Sequence, residues 1–261
     1  MTETLNAQTG KLSIIQQAAL GIVDGLSYVY KFGYNADVDI ASDPEDVWLG
    51  GGLYTGFPTQ TETVSAVSTS VNDTLFNTGA NNLVVEGLDA DGNLQTDTIV
   101  MNGTNTVTGS LVFSRVFRAY PLAVGSAGSN VGTITINHST TTANVFATIA
   151  PGIGQTQVAA YTVPKGYKAL LIEANASVTR TSGAAGSAVM ALVTKDGGIV
   201  SAPERSRIYR TAASTFPAHI EFHGGQVLPE LTDIVWRVVE VSDDNTRVSG
   251  DFELLLIKTS V

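Results

Sequence analysis

Apolar and polar positions alternate with a period of two through most of this chain. Short clusters of Gly, Asp, Asn and Ser break the alternation roughly every 8–12 residues, the signature of many short strands. Residues 82–88 and 94–101 are two such runs joined across Asp89-Ala90-Asp91-Gly92-Asn93. The Asp-Gly pair supplies the positive φ that a tight hairpin needs. Residues 111–120 read as one further strand, with Phe113 and Phe117 on one face and Ser114, Val116 and Arg118 on the other. Residues 131–138 and 144–149 complete this first set. The turn Pro151-Gly152-Ile153-Gly154 then opens a second: 158–163, 168–178, 187–194, 218–222 and a last pair, 233–241 with 248–258. Ahead of both sets, Ile15, Ala18, Ala19, Ile22, Val23 and Leu26 fall near helical spacing. Gly21 and Gly25 each weaken a helix by about 1 kcal/mol relative to Ala. The expected fold is therefore mainly β. Residues 1–30 form an N-terminal arm with a short helix, residues 31–151 a β domain with a connector and hairpins, and residues 152–261 a jelly-roll-like β-sandwich.

The connector, residues 31–58, fits neither period. Asp37, Asp39, Asp43, Glu45 and Asp46 form an acidic cluster that could hold a cation; a helical turn opened by Asp43-Pro44-Glu45-Asp46 and capped by Asp43 is the simpler expectation. Trp48, Tyr54 and Phe57 read as aromatic plugs, with Gly50 to Gly52 giving the backbone freedom to turn.

This run, KFGYNADVDIASDPEDVWLGGGLYTGFP, resembles one near the N-terminus of virion structural proteins of tailed bacteriophages. The resemblance continues through the following hairpin and the turn Val163-Pro164-Lys165-Gly166. It implies a non-enzymatic virion protein, made in the host bacterial cytoplasm: a capsid decoration (cement) or head-fibre protein. Such a protein would form a homotrimer and clamp the major capsid protein or other virion proteins. On that reading Ile15, Ile22, Leu26, Tyr28, Phe32, Trp48 and Tyr54 face neighbouring subunits. A neck, collar, tail or fibre-adaptor component, and a carbohydrate-binding host-attachment module, are the alternatives.

Composition narrows the partners. Charged residues are 15% of the chain, against about 25% in an average domain; small polar and β-branched residues fill the gap and suit sheets and large protein contacts. The net charge of −10 opposes nucleic acid or an anionic membrane as the main partner. There is no cysteine, so neither disulfide nor thiolate chemistry is expected. Residues 1–30 carry no basic signal region, and no apolar run reaches the ~18 residues of a membrane span.

Candidate chemistry is sparse, and no cofactor is expected. On a strand, His219, Glu221 and His223 share one face, so two imidazoles and a carboxylate could hold zinc or iron; a polar stripe beside buried Ile220 and Phe222 is the simpler expectation. The Asp89-Ala90-Asp91-Gly92-Asn93 turn starts like a calcium loop but has glycine two places early and Val100 where the bidentate glutamate belongs. No Gly-x-Ser-x-Gly elbow and no P-loop is present. Arg205, Arg207 and Arg210, with Glu204 and Tyr209 between them, form the one local basic patch. Arginine's planar fork suits docking on an acidic protein surface.

Overall fold

The structure, a computed structural model, describes residues 12–40, 44–180, 187–196, 204–212 and 218–259, without the side chains of residues 180 and 206–212. In chain order the elements are α1 (Ile14–Ala19), β1 (Leu26–Val38), β2 (Glu45–Asp46), β3 (Glu62–Ser68), β4 (Ala80–Leu88), β5 (Leu94–Val100), β6 (Val107–Phe113), β7 (Arg115–Val124), β8 (Ile134–His138), β9 (Val145–Ile149), β10 (Ala160–Thr162), β11 (Tyr167–Arg180), β12 (Ser187–Asp196), β13 (Arg205–Ala212), β14 (Ala218–Leu228), β15 (Thr232–Val241) and β16 (Thr246–Lys258). The fold is mainly β, with antiparallel sheets, as the alternation predicts.

Strands β1-β16-β11-β14 form one sheet, and β10-β15-β12-β13 a second, in which β2 also pairs β15. The faces they turn to one another build the first core. It holds Phe252, Leu254 and Leu256 of β16, Ile234, Trp236 and Val238 of β15, and Met190 and Leu192 of β12. Trp236 is fully buried, and its indole Nε1 donates to the Asp251 carbonyl at 2.9 Å. Gly250 lies against that ring; a Cβ there would sit 2.8 Å from the indole.

Strands β6-β3-β8-β9 and β5-β4-β7 form the other two sheets around a second core that includes Leu83, Val85, Ile99, Phe113, Ile136 and Phe146. Two buried aspartates hold its loops. Asp73 accepts from Ser68 Oγ at 2.6 Å and from the amides of Ala80, Val131 and Gly132 at 2.8 Å each. Burial alone would raise its pKa, but these four bonds prevail and hold it below the usual carboxylate value. Asp97 of β5 accepts from the Ser110 and Leu111 amides at 2.7 and 3.0 Å and so ties one sheet to the other.

The β15 and β12 strands are dry on both sides. Trp236 and Leu192 point into the first core, while their neighbours Val235, Ala191 and Val193 belong to the second. That explains why both strands read as almost unbroken apolar runs. At the seam, Arg115 grips Asp233 with two bonds of 3.0 Å and donates to the Pro58 carbonyl at 2.9 Å. Thr162 Oγ1 adds a bond of 2.5 Å to the same carboxylate.

Several expectations are corrected. The connector is partly regular: β1 runs to Val38 and pairs β16 from Leu26↔Ile257 onward, so a boundary at residue 30 falls in mid-strand. Glu45 and Asp46 are strand residues opposite Val238 and Arg237, not the start of a helical turn; Asp43 lies outside the described residues. Residues 111–120 are not one strand. The chain passes between sheets at Ser114, whose amide and hydroxyl donate to the Leu88 and Asp89 carbonyls, so Phe113 and Phe117 enter different cores. The 233–241 and 248–258 runs do not pair with each other; they lie in opposite sheets, linked across residues 242–245. The 89–93 hairpin turn is present, with Gly92 at φ +85° and Asp89 Oδ1 accepting from the Asp91 and Asn93 amides at 2.8 Å each.

Replacing Arg115 with methionine strands the Asp233 carboxylate in a dry seam. The expected loss is about 3–5 kcal/mol in urea unfolding of the whole chain. A loss below about 0.5 kcal/mol, as for an ordinary surface substitution, would show that the pair does not join the two cores.

Candidate functional site

Inward-facing residues of β1 alternate from Val29 through Lys31 and Gly33 to Asn35. Gly33 is required there, since a Cβ would lie 2.2 Å from the Val47 carbonyl oxygen and 2.3 Å from the Ala159 nitrogen. Asn35 Nδ2 donates to Glu45 Oε2 at 2.9 Å and so ties β1 to β2. Lys31, between them, lines a cleft of about 600 Å³ that lies between β1 and the strands β4, β5 and β7. Its Nζ donates to the Phe117 carbonyl. Phe117 and Tyr161 form an aromatic wall with ring centroids 4.2 Å apart. Arg118 donates to Gln155 Oε1 at 3.1 Å and lies 4.4 Å over the Tyr120 ring, while the Tyr120 hydroxyl donates to Glu86 at 3.2 Å.

Lys31 is the group of this cleft whose pKa is moved toward neutral pH. Burial, aided by the nearby Arg118 cation and only partly opposed by Glu86, pushes its pKa down to about 7. A perturbed titratable group in a cleft of this size marks the candidate site. The sequence carried one signal of it, a lysine at an inward position of an apolar alternation.

The opposite face of β1 carries Tyr28, Tyr30 and Phe32, over the outer side of the first sheet. Burial first, and then a hydrogen bond to Glu253, raises the Tyr28 pKa; burial and Asp251 do the same for Tyr30. Beside them Asn175 Nδ2 donates to Glu173 at 3.0 Å and to Asp251 at 2.8 Å, and His219 Nδ1 lies 2.8 Å from Asn175 Oδ1. His219, Glu221 and His223 do share a face of β14 as the period of two predicts. They do not converge: His219 is held by Asn175, Glu173 and Glu221, whereas the His223 side chain is 91% exposed and 3.9 Å from Glu221. Among the described residues no group of three His, Cys, Asp or Glu is arranged to hold a metal. The third histidine, His138, is buried in the second core against Phe146, and burial lowers its pKa.

The expected interface residues separate into two groups. Trp48 and Tyr54 are buried in the second core. Their rings stand 5.3 Å apart edge to face, Trp48 Nε1 donates to the Gly52 carbonyl at 3.0 Å, and the Tyr54 hydroxyl donates to the Phe146 carbonyl at 2.9 Å. They are plugs within this chain, buried among its own residues. Ile15, Leu26, Tyr28 and Phe32 are half-buried and Ile22 is exposed. Arg205 is exposed and pairs with Asp196 at 3.2 Å; Arg207 and Arg210 sit on β13 opposite Leu192 and Val189, with side chains outside the described part. No protein-family model matches the chain, and no curated protein matches it.

Two measurements test these assignments. Between the folded Lys31 value near 7 and the unfolded lysine value of about 10.4, the unfolded chain holds more protons than the folded one, so stability rises with pH across that window. Lys31→Met is expected to flatten the rise in urea midpoints from about pH 7 to about pH 9; an unchanged slope would place the ammonium in water. Replacing His219 and His223 with alanine should leave stability within about 0.5 kcal/mol, and zinc added to the wild type should not raise its Tm.

Proposed function

We propose that this chain is a non-enzymatic structural protein of a tailed-phage virion, a trimeric capsid decoration (cement) protein that stabilises the shell through contacts between subunits. The reading rests on the resemblance carried by residues 31–58 and on what the fold leaves uncovered. Ile14, Leu20 and Ile22 are 49, 63 and 36% exposed, directly ahead of the strand that joins the body. That apolar lead, with only Ala18 of its helix buried, is the observation that carries the proposal: exposed apolar groups in series gain by docking on another surface. Its partners would be further copies of itself and the major capsid protein or other virion proteins. The net charge of −10 favours neither nucleic acid nor an anionic membrane.

The same proposal includes a fold. Taking β2 and β10 as two pieces of one interrupted strand, the first pair of sheets has the order first-eighth-third-sixth and second-seventh-fourth-fifth, which is the order of a jelly roll. On this reading the second pair of sheets is an insertion in the second strand, and the jelly roll begins at Leu26, not at residue 152. Jelly rolls packed side by side are a common way to build closed shells, which agrees with the assembly reading.

The arm is therefore residues 1–24, since Leu26 onward is sheet. Deleting residues 1–24 is expected to abolish co-sedimentation with particles while leaving the urea midpoint of the remaining chain unchanged. Retained particle binding by a folded deletion variant would refute the role of the lead, and a monomer in sedimentation at particle-like concentrations would refute the trimer.

A further inference from the structure

The inter-sheet cleft poses a problem that assembly does not answer. An ammonium carries three donors. Among the described residues, Lys31 uses one, on the Phe117 carbonyl, and makes no ion pair. The charged groups lining the cleft are Lys31 from β1, Arg118 from β7 and Glu86 from β4, while β10 and β16 contribute Tyr161 and Leu256. Glu86 is the one carboxylate among them and already accepts from Tyr120. The cleft is thus a cationic spot on a protein of charge −10, with a part-buried ammonium that meets one protein acceptor, the Phe117 carbonyl.

We infer that the cleft binds an acidic saccharide, whose carboxylate is received by Lys31 and whose ring lies against the wall of Phe117 and Tyr161. A carboxylate supplies a counter-charge and further acceptors in one step, and a charge-assisted bond of this kind is stronger than a neutral one. The remaining polar lining is neutral: Gln95, Thr96 and Gln155 offer amides and a hydroxyl of the sort that pair with sugar hydroxyls. An added peptide strand fits less well. The unpaired edge of β1 carries Lys31 pointing inward and a register break between Asn35 and Val38, and both features oppose strand addition. This inference stands apart from the assembly reading: the lead can dock on a particle whether or not the cleft is filled.

The test is calorimetry on the full chain with three probes: a glucuronic-acid disaccharide, its neutral glucose counterpart, and an acetylated dipeptide with a free C-terminal carboxylate. The acidic disaccharide is expected to bind at least about tenfold more tightly than either other probe, and Lys31→Met to lose at least about tenfold. Near pH 7.5 the wild type should also take up a proton on binding, visible as a heat that depends on the ionisation enthalpy of the buffer, because Lys31 is partly neutral there and must charge. Lys31→Arg, which keeps the charge, should bind without that proton uptake, and it serves as the decisive variant if Lys31→Met fails to fold. Absence of binding by the acidic disaccharide, equal binding of the neutral one, equal binding of the dipeptide, or a Lys31→Met variant that binds like the wild type would each overturn the inference.

Discussion

The burial of one sheet on both faces is the constraint on which the rest of this molecule depends. The strands β10, β15 and β12 are lined by one core on one side and a second core on the other, so alternate residues of the same strand stabilise different halves of the protein. A sheet in that position must be apolar throughout its middle and must satisfy its polar groups at the rim. The rim does so with ion pairs. Arg115 meets Asp233 at one point, and Arg237 meets Asp46 at another, with contacts of 2.7 and 3.3 Å and a further bond of 2.7 Å to Glu204. Burial pushes the Asp46 pKa up, and Arg237 and the Tyr54 amide only partly offset this. The pair is therefore a seam that must stay closed, since either partner alone would be a charge in a dry place.

The shared layer also explains the connector. Residues 44–58 pass between the two pairs of sheets, and a chain in such a crevice needs anchors on both sides. Asp46 reaches Arg237 and the Tyr54 amide, Trp48 and Tyr54 fill the second core, and Val47 fills the first. The glycines that follow Trp48 let the chain fold back over the indole: Gly51 and Gly52 sit at φ +69° and +65°, and the Gly52 carbonyl closes on the indole N–H. The aromatic and acidic character that makes this stretch conspicuous in sequence is thus used in holding the crevice.

How far the sequence could be read follows from how local each feature is. The 89–93 hairpin and the alternation of β14 depend on neighbours in sequence, and both were legible. The pairing of β1 with β16 joins residues from opposite ends of the chain, and nothing in either strand names the other. The break at Ser114 was hidden because apolar residues on both sides keep the same period; only the Leu88 and Asp89 carbonyls, brought up by the preceding hairpin, show why the chain changes sheets there. The cleft draws Lys31, Glu86, Arg118 and Tyr161 from four distant strands and could be found only in the fold.

Lys31 is the one place where these arguments meet. A lysine pointing inward from a free edge strand is a known guard against unwanted pairing, and β1 is such an edge. Guarding asks only that the charge be present; it works as well with the ammonium in water, where no desolvation opposes it. Here the ammonium is part-buried on the Phe117 carbonyl, a second cation stands nearby, and its pKa falls to about 7. Edge protection does not require that unfavourable placement, and the fold could relieve it with a nearer carboxylate. A part-buried lysine beside a second cation in a cleft is better accounted for by an anion that enters the cleft and pairs with it.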